Sequence, residues 1–170
     1  RSHKKSLVRD TGLELSAIAD LKVNQIAQWR NERLDDARLI GGNTAFVRLL
    51  YNYLHENNPS ELYPDVATSL KSIAVHAEYK NVYLIDSLGR VRGNFPGNDS
   101  LYDENLKEIF PQLLKLRTGL LTDFFRAKNI SPVYVNLVIP LVNTWRNDSS
   151  AFGLLLVRID PAEVLYPLLQ

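Results

Sequence analysis

Asn81-Val82-Tyr83-Leu84-Ile85-Asp86-Ser87-Leu88-Gly89-Arg90-Val91-Arg92-Gly93-Asn94-Phe95-Pro96 decides the fold of this 170-residue chain. Asn81–Asp86 is rich in β-branched and aromatic residues, which fit a pleated surface, and reads as a strand. Ser87-Leu88-Gly89 is a turn, with glycine where a positive φ is needed, and Arg90–Gly93 starts the return strand. The stretch is therefore a β-hairpin, closed by a Pro/Gly/Asn loop over Asn94–Ser100.

Upstream the pattern is helical. Leu13–Ile40 contains no proline, and its apolar residues Leu15, Ala19, Val23, Ile26, Leu34 and Ala37 recur mostly every three or four positions, giving one stripe on a helix. At 1.5 Å rise per residue such a helix is ~42 Å long, more than a small module needs for its own core. Gly41-Gly42 closes it, and Asn43 or Thr44 caps a second helix over Ala45–His55. A third runs from Pro64 to Ala77, with Val66, Leu70, Ile73 and Ala77 on one face.

Downstream, a helix over Asp103–Leu116 precedes three strand candidates, Gly119–Phe125, Val133–Leu141 and Phe152–Ile159. Asp160 then caps a closing helix that has Pro161 in its first turn. Three helices, a hairpin, a helical crossover and a three-stranded meander make an α+β fold: one five-stranded antiparallel sheet flanked by helices.

Composition narrows the function classes. Lys+Arg number 20 and Asp+Glu 19, a net charge of +1, so nothing calls for nucleic acid. Cysteine is absent, which excludes disulfides, zinc–thiolate sites and a cysteine nucleophile. Methionine is absent too, residue 1 included, and the chain reads as a fragment of a longer protein. No apolar run reaches the ~18 residues of a transmembrane helix. Arg1–Lys5 reads equally as a tag remnant or a basic juxtamembrane stretch. His3, His55 and His76 have no metal-ligand spacing, and no nucleophile elbow or phosphate-binding glycine loop occurs. The expectation is a non-enzyme with no catalytic residue, no metal and no cofactor. Glu32, Asp35 and Asp36 lie among Arg30, Arg33 and Arg38, which predicts a solvated, salt-bridged helix face. Asn98, Asn129 and Asn147 match the glycosylation acceptor pattern, at a frequency chance supplies.

The long helix followed by VYLIDSLGRVRGNFP, PVYVNLVIPL and FGLLLVRIDPAEVLYPLL resembles Cache domains, PAS-like extracytoplasmic sensors of histidine kinases, chemoreceptors and diguanylate cyclases. The resemblance implies a PAS-like module over 43–170, the first lobe of a two-lobed domain or a single lobe, behind a signalling helix at 13–42 and a tag or juxtamembrane segment at 1–12. It implies a small-molecule ligand, a periplasmic or extracellular location, and membrane attachment only through flanking helices. The Tyr, Arg, Trp-Tyr amino-acid signature of some two-lobed members is not found.

Candidate ligand residues are sought where the family binds, between the sheet and the segments crossing it. Tyr134 and Asn136 alternate with Val133, Val135 and Leu137 and share one face; asparagine in mid-strand is unfavourable for the strand itself. Tyr83 joins that face from the hairpin, with His76 and Tyr79 expected at its rim. Arg92 and Arg117 are candidate carboxylate clamps, and Asp123 a candidate for recognising an amine. For each of these, a packed core or solvated surface residue is the bland alternative. Leu15, Ala19, Val23 and Ile26 are the expected contacts of a parallel homodimer. A ligand-free dimerisation module with a side-chain-filled pocket is the competing function class.

Overall fold

A computed structural model of the chain describes residues 2–77, 79–97, 104–125, 134–146, 150–164 and 167, with only the backbone at 2–11, 13, 104, 105, 123–125 and 164. The elements are α1 (Ser2–Gly41), α2 (Thr44–His55), a short 3-10 turn at Pro59–Glu61, α3 (Tyr63–His76), β1 (Asn81–Asp86), β2 (Val91–Phe95), α4 (Glu104–Leu113), β3 (Leu120–Phe125), β4 (Tyr134–Val142), β5 (Ala151–Ile159) and α5 (Pro161–Val164). The five strands form one sheet of order β2-β1-β5-β4-β3, every pair antiparallel. This is the expected α+β architecture.

The hairpin turn is built by one carboxylate. Asp86 Oδ1 accepts from the backbone N–H of Leu88 at 3.0 Å and of Arg90 at 2.9 Å. Its Oδ2 accepts from Arg90 Nε at 3.0 Å and Arg92 Nη1 at 3.3 Å. Gly89 supplies the positive φ, at 82°. Burial pushes the Asp86 carboxyl upward, but these donors outweigh it and hold its pKa below the ordinary value of 3.8.

One sheet face carries α1, α2 and α3. Against Val82, Leu84, Leu137, Ile139, Leu155 and Val157 pack Trp29 and Ala37 of α1, Val47, Leu50 and Tyr53 of α2, and Val66, Leu70 and Ala74 of α3. Steps of three and four on each helix explain why these side chains point inward together. Asn43 caps α2, its side chain accepting from Phe46 N at 3.2 Å. Gly153 lets β5 pass β1 closely: a Cβ there would sit 2.6 Å from the Ile85 carbonyl oxygen. The opposite face buries Tyr83, Ile85, Val138, Leu154 and Leu156 under Phe110 and Leu113 of α4.

α1 is longer than the sequence pattern indicates, 40 residues from Ser2. Gly12 lies inside it, with nothing within 4 Å of where a Cβ would be. A lone glycine costs a formed helix only about 1 kcal/mol, so it does not stop one already propagating. α4 ends at Leu113 rather than Leu116, in turns closed by Lys115 N to Gln112 O and Leu116 N to Leu113 O. The acidic cluster is salt-bridged as expected, Arg33 to Asp36 and Glu32, and Arg38 to Asp35. The three glycosylation-type asparagines fall outside the described residues.

Because the Asp86 pKa is lowered by folding, its stabilisation is complete above the unfolded carboxylate value near 3.8 and is lost as pH falls through the folded value. Asp86→Asn should therefore cost about 1–3 kcal/mol in urea unfolding at pH 7. The cost should shrink as the pH falls below 3.8 and the wild-type carboxyl protonates; an equal offset at pH 7 and in acid would contradict this role.

Candidate functional site

β5 lies between β1 and β4, and its register aligns a polar row across four strands. Asn81 of β1 faces Arg158 of β5, Arg158 faces Asn136 of β4, and Asn136 faces Thr122 of β3. In the next row Tyr83 faces Leu156, which faces Val138. With a side-chain period of two, Tyr83, Tyr134, Asn136 and Arg158 share the face that α4 covers farther along. There α4 seals the apolar end, Ile85 and Leu154, and the polar row lies beyond it.

This row is buried. Asn81 is 1% exposed and Asn136 is 4% exposed. The Arg158 guanidinium is sandwiched, its Cζ 5.5 Å from the Tyr83 ring centroid and 5.0 Å from that of Tyr134. Lys80 Nζ stands 5.3 Å from the Tyr134 ring and 4.0 Å from Asp160 Oδ2. Two buried atoms of the row have no hydrogen-bond partner among the described residues: Asn136 Oδ1, an acceptor, and Arg158 Nε, a donor. Buried polar atoms are paired in the great majority of proteins, because an orphan costs about 1–3 kcal/mol. The acceptor and the donor lie on neighbouring strands of one sheet face.

The structure brings Tyr83, Tyr134 and Asn136 together, as the alternation predicts, and places the other candidates elsewhere. Tyr79 lies on the helical face, where its hydroxyl donates to Asp36 Oδ2 of α1 at 2.6 Å. Burial, then this hydrogen bond, raises its pKa far above the phenol value. His76 ends α3 on that side and lines a small groove of 280 Å³ with Asp36, Ser72 and Tyr79. Strand alternation does not reach these two residues, because both precede β1, which starts at Asn81, and α3 packs on the helical face. Arg92 serves the hairpin: it binds Asp86, and its guanidinium lies 5.8 Å from the Tyr53 ring of α2. Arg117 is exposed and lines an open 650 Å³ groove beside Leu34, Arg38 and Gly41 of α1. Asp123 lies in β3, and its side chain is outside the described set. The cations at the polar row are Arg158 and Lys80, neither of them among the sequence candidates. The signal of Arg158 was there: one arginine inside the apolar run Phe152–Ile159.

Among the described residues no group of three or more His, Cys, Asp or Glu is placed to hold a metal, and no helix is long and apolar enough to cross a membrane. Of the dimer candidates, Leu15 and Val23 are each 63% exposed, and Ala19 is exposed as well. Ile26 is half-buried and packs on this chain's own core.

Neither a family model nor a curated protein matches this sequence. Solved structures do match. The ligand-binding domain of the Campylobacter jejuni chemoreceptor Tlp3, in complex with L-valine, aligns with a TM-score of 0.70 at 16% identity, over 97% of this chain and 66% of that one. The sensor domain of the V. cholerae histidine kinase DctB aligns with a TM-score of 0.62 at 13% identity, over 94% and 58%. The ligand-binding domain of the Pseudomonas fluorescens chemoreceptor CtaA, with L-serine, gives 0.59 at 15% identity, over 93% and 63%. The fold is that of the sensory domains of chemoreceptors and histidine kinases. The chain spans a little under two thirds of the length of these structures.

The Tyr79–Asp36 bond ties the α3–β1 junction to α1. Tyr79→Phe should cost about 1.5 kcal/mol of unfolding free energy. Combined with Asp36→Ala, the two losses should fall short of their sum by at least ~0.5 kcal/mol in a double-mutant cycle. Strict additivity would mean that the bond carries no coupling.

Proposed function

We propose that this chain is the extracytoplasmic, ligand-sensing input module of a transmembrane signalling receptor, a histidine kinase before a chemoreceptor or a diguanylate cyclase. It binds a small polar metabolite, a carboxylate being the leading candidate, on the sheet face bearing Tyr83, Tyr134 and Asn136. The observation that supports this reading is the polar row Asn81–Arg158–Asn136–Thr122, in which, among the described residues, the buried Asn136 Oδ1 and Arg158 Nε have no hydrogen-bond partner. A sheet serving structure alone would place apolar side chains there, since each orphan costs stability and a hydrophobic replacement does not. The shared fold with valine- and serine-bound chemoreceptor domains supports the same reading.

Within this proposal the module is 43–170, and α1 from 13 to 42 is the output helix. Its C-terminal half is part of the core through Trp29 and Ala37, while Leu15, Ile18, Leu21 and Val23 stay exposed. A ligand that favours one of two conformations biases this helix, and the bias passes along it toward the membrane. Exposed apolar residues on a helix favour pairing with a second copy, in parallel if both chains enter from one membrane. His76, Tyr79, Arg92 and Arg117 have places in this scheme outside the polar face.

A thermal-shift screen of small metabolites against the chain tests the sensing reading: one chemical class should raise the melting temperature by several degrees. With a hit in hand, Asn136→Ala should weaken binding about 5- to 150-fold in calorimetry with the fold intact. Undiminished affinity in both Asn136→Ala and Tyr134→Phe would place the site elsewhere. For assembly, Leu15→Asp combined with Val23→Asp should turn a sedimenting dimer into monomer, and a dimer persisting in that variant would remove the helix as the interface. Ile26→Asp is the poorer test, because that residue also packs on its own core.

A further inference from the structure

The two orphan atoms of the polar face differ in kind. Arg158 brings a buried Nε–H donor and a full positive charge, and it has no ion pair among the described residues. Asn136 Oδ1 brings a neutral acceptor with nothing donating to it. The two residues face each other across β4 and β5 yet do not pair. A ligand that satisfies both must present an anion to the one and a hydrogen-bond donor to the other.

The charges around the row restrict that donor. Lys80 and Arg158 both stack on the Tyr134 ring, at 5.3 and 5.0 Å, so two cations border the space. The carboxylate at this rim, Asp160, is occupied: Oδ2 stands 4.0 Å from Lys80 Nζ, and Oδ1 accepts from Ala162 N at 2.9 Å. An ammonium group here would meet the guanidinium of Arg158, which no described carboxylate pairs, while Asp160 is engaged by Lys80, and this costs affinity. A hydroxyl has no such conflict and donates as well to an amide oxygen.

We propose that the ligand of this face is a hydroxycarboxylate, its carboxylate on Arg158 and its hydroxyl donating to Asn136 Oδ1, and that α-amino acids are discriminated against. This rests on reading the polar face as the sensory site. It separates the chain from the valine- and serine-bound domains that share its fold.

Calorimetry on the chain with two matched trios tests it: L-lactate, propionate and L-alanine; and L-malate, succinate and L-aspartate. In at least one trio the hydroxy acid should bind about tenfold or more tightly than both its deoxy and its amino counterpart, because a site built to hydrogen-bond a hydroxyl rejects analogues without it. Asn136→Ala should bring the hydroxy acid down to the deoxy acid. Asn136→Asp, which keeps the shape and adds a negative charge, should move preference toward the amino acid. Arg158→Gln should weaken every binder at least tenfold, with circular dichroism confirming the fold. Tightest binding by an amino acid, a hydroxyl preference that survives Asn136→Ala, or no binding in either trio would overturn the proposal. Amino-acid binding that is lost in Arg158→Gln would overturn the ligand class alone and leave the sensory site standing. Binding indifferent to Asn136, Tyr134 and Arg158 would overturn both.

Discussion

The pairing register of β5 with its two neighbours is the constraint on which the rest of the molecule depends. β5 is paired along its length with both β1 and β4. Side chains alternate between faces, so a slip of one residue would carry Asn136 and Arg158 into the helical core and turn Leu137 and Val157 outward. The apolar face pins the register. Leu137, Leu155 and Val157 are fully buried under α1, α2 and α3, and exposing them would cost far more than any gain on the other side. The polar face is thus positioned by the packing of the opposite face. That is how a strand can keep an asparagine with an unpaired oxygen at its centre without losing its place in the sheet.

The same geometry brings the polar row close to the long helix. Tyr79, Lys80 and Asn81 are consecutive. Tyr79 reaches through the helical side to Asp36 of α1, Lys80 donates its backbone N–H to Arg158 O at 3.0 Å, and Asn81 joins the polar row. Three residues therefore give a short path from the polar row to α1. Asp36 is held on its other side by Arg33, at 3.0 Å, within the same helix. On the proposed reading a change at the polar row has to become a change in a helix, and the row and α1 are linked by one hydrogen bond and a short stretch of chain.

Much of the fold was legible in the sequence, for local reasons. The hairpin announced itself because Asp86 and Gly89 are the chemistry its turn requires, and the helices because their apolar residues recur at 3.6. The start of α1 was not legible: a helix already propagating tolerates one glycine, so Gly12 was a poor boundary marker. The composition of the polar face was half legible. Tyr83, Tyr134 and Asn136 were found by strand alternation, which holds in any register. Tyr79, Arg92 and Arg117 went to other places because their positions depend on how α3, the hairpin turn and α1 pack, and no periodicity encodes that. Arg158 could have been found by the rule that identified Asn136, a polar residue inside a buried strand. Its stacking between two tyrosines follows only from the three-strand register.

The central claim is that the polar face of the sheet receives a small anion through Arg158. The most direct measurement is the nuclear magnetic resonance signal of the Arg158 Nε–H group, assigned through an Arg158→Lys variant and followed during titration with small carboxylates. On this account the signal moves saturably and sharpens against solvent exchange, because a buried donor without a partner gains one. A signal that stays fixed while resonances elsewhere in the chain shift to saturation would show that the ligand binds somewhere other than this face.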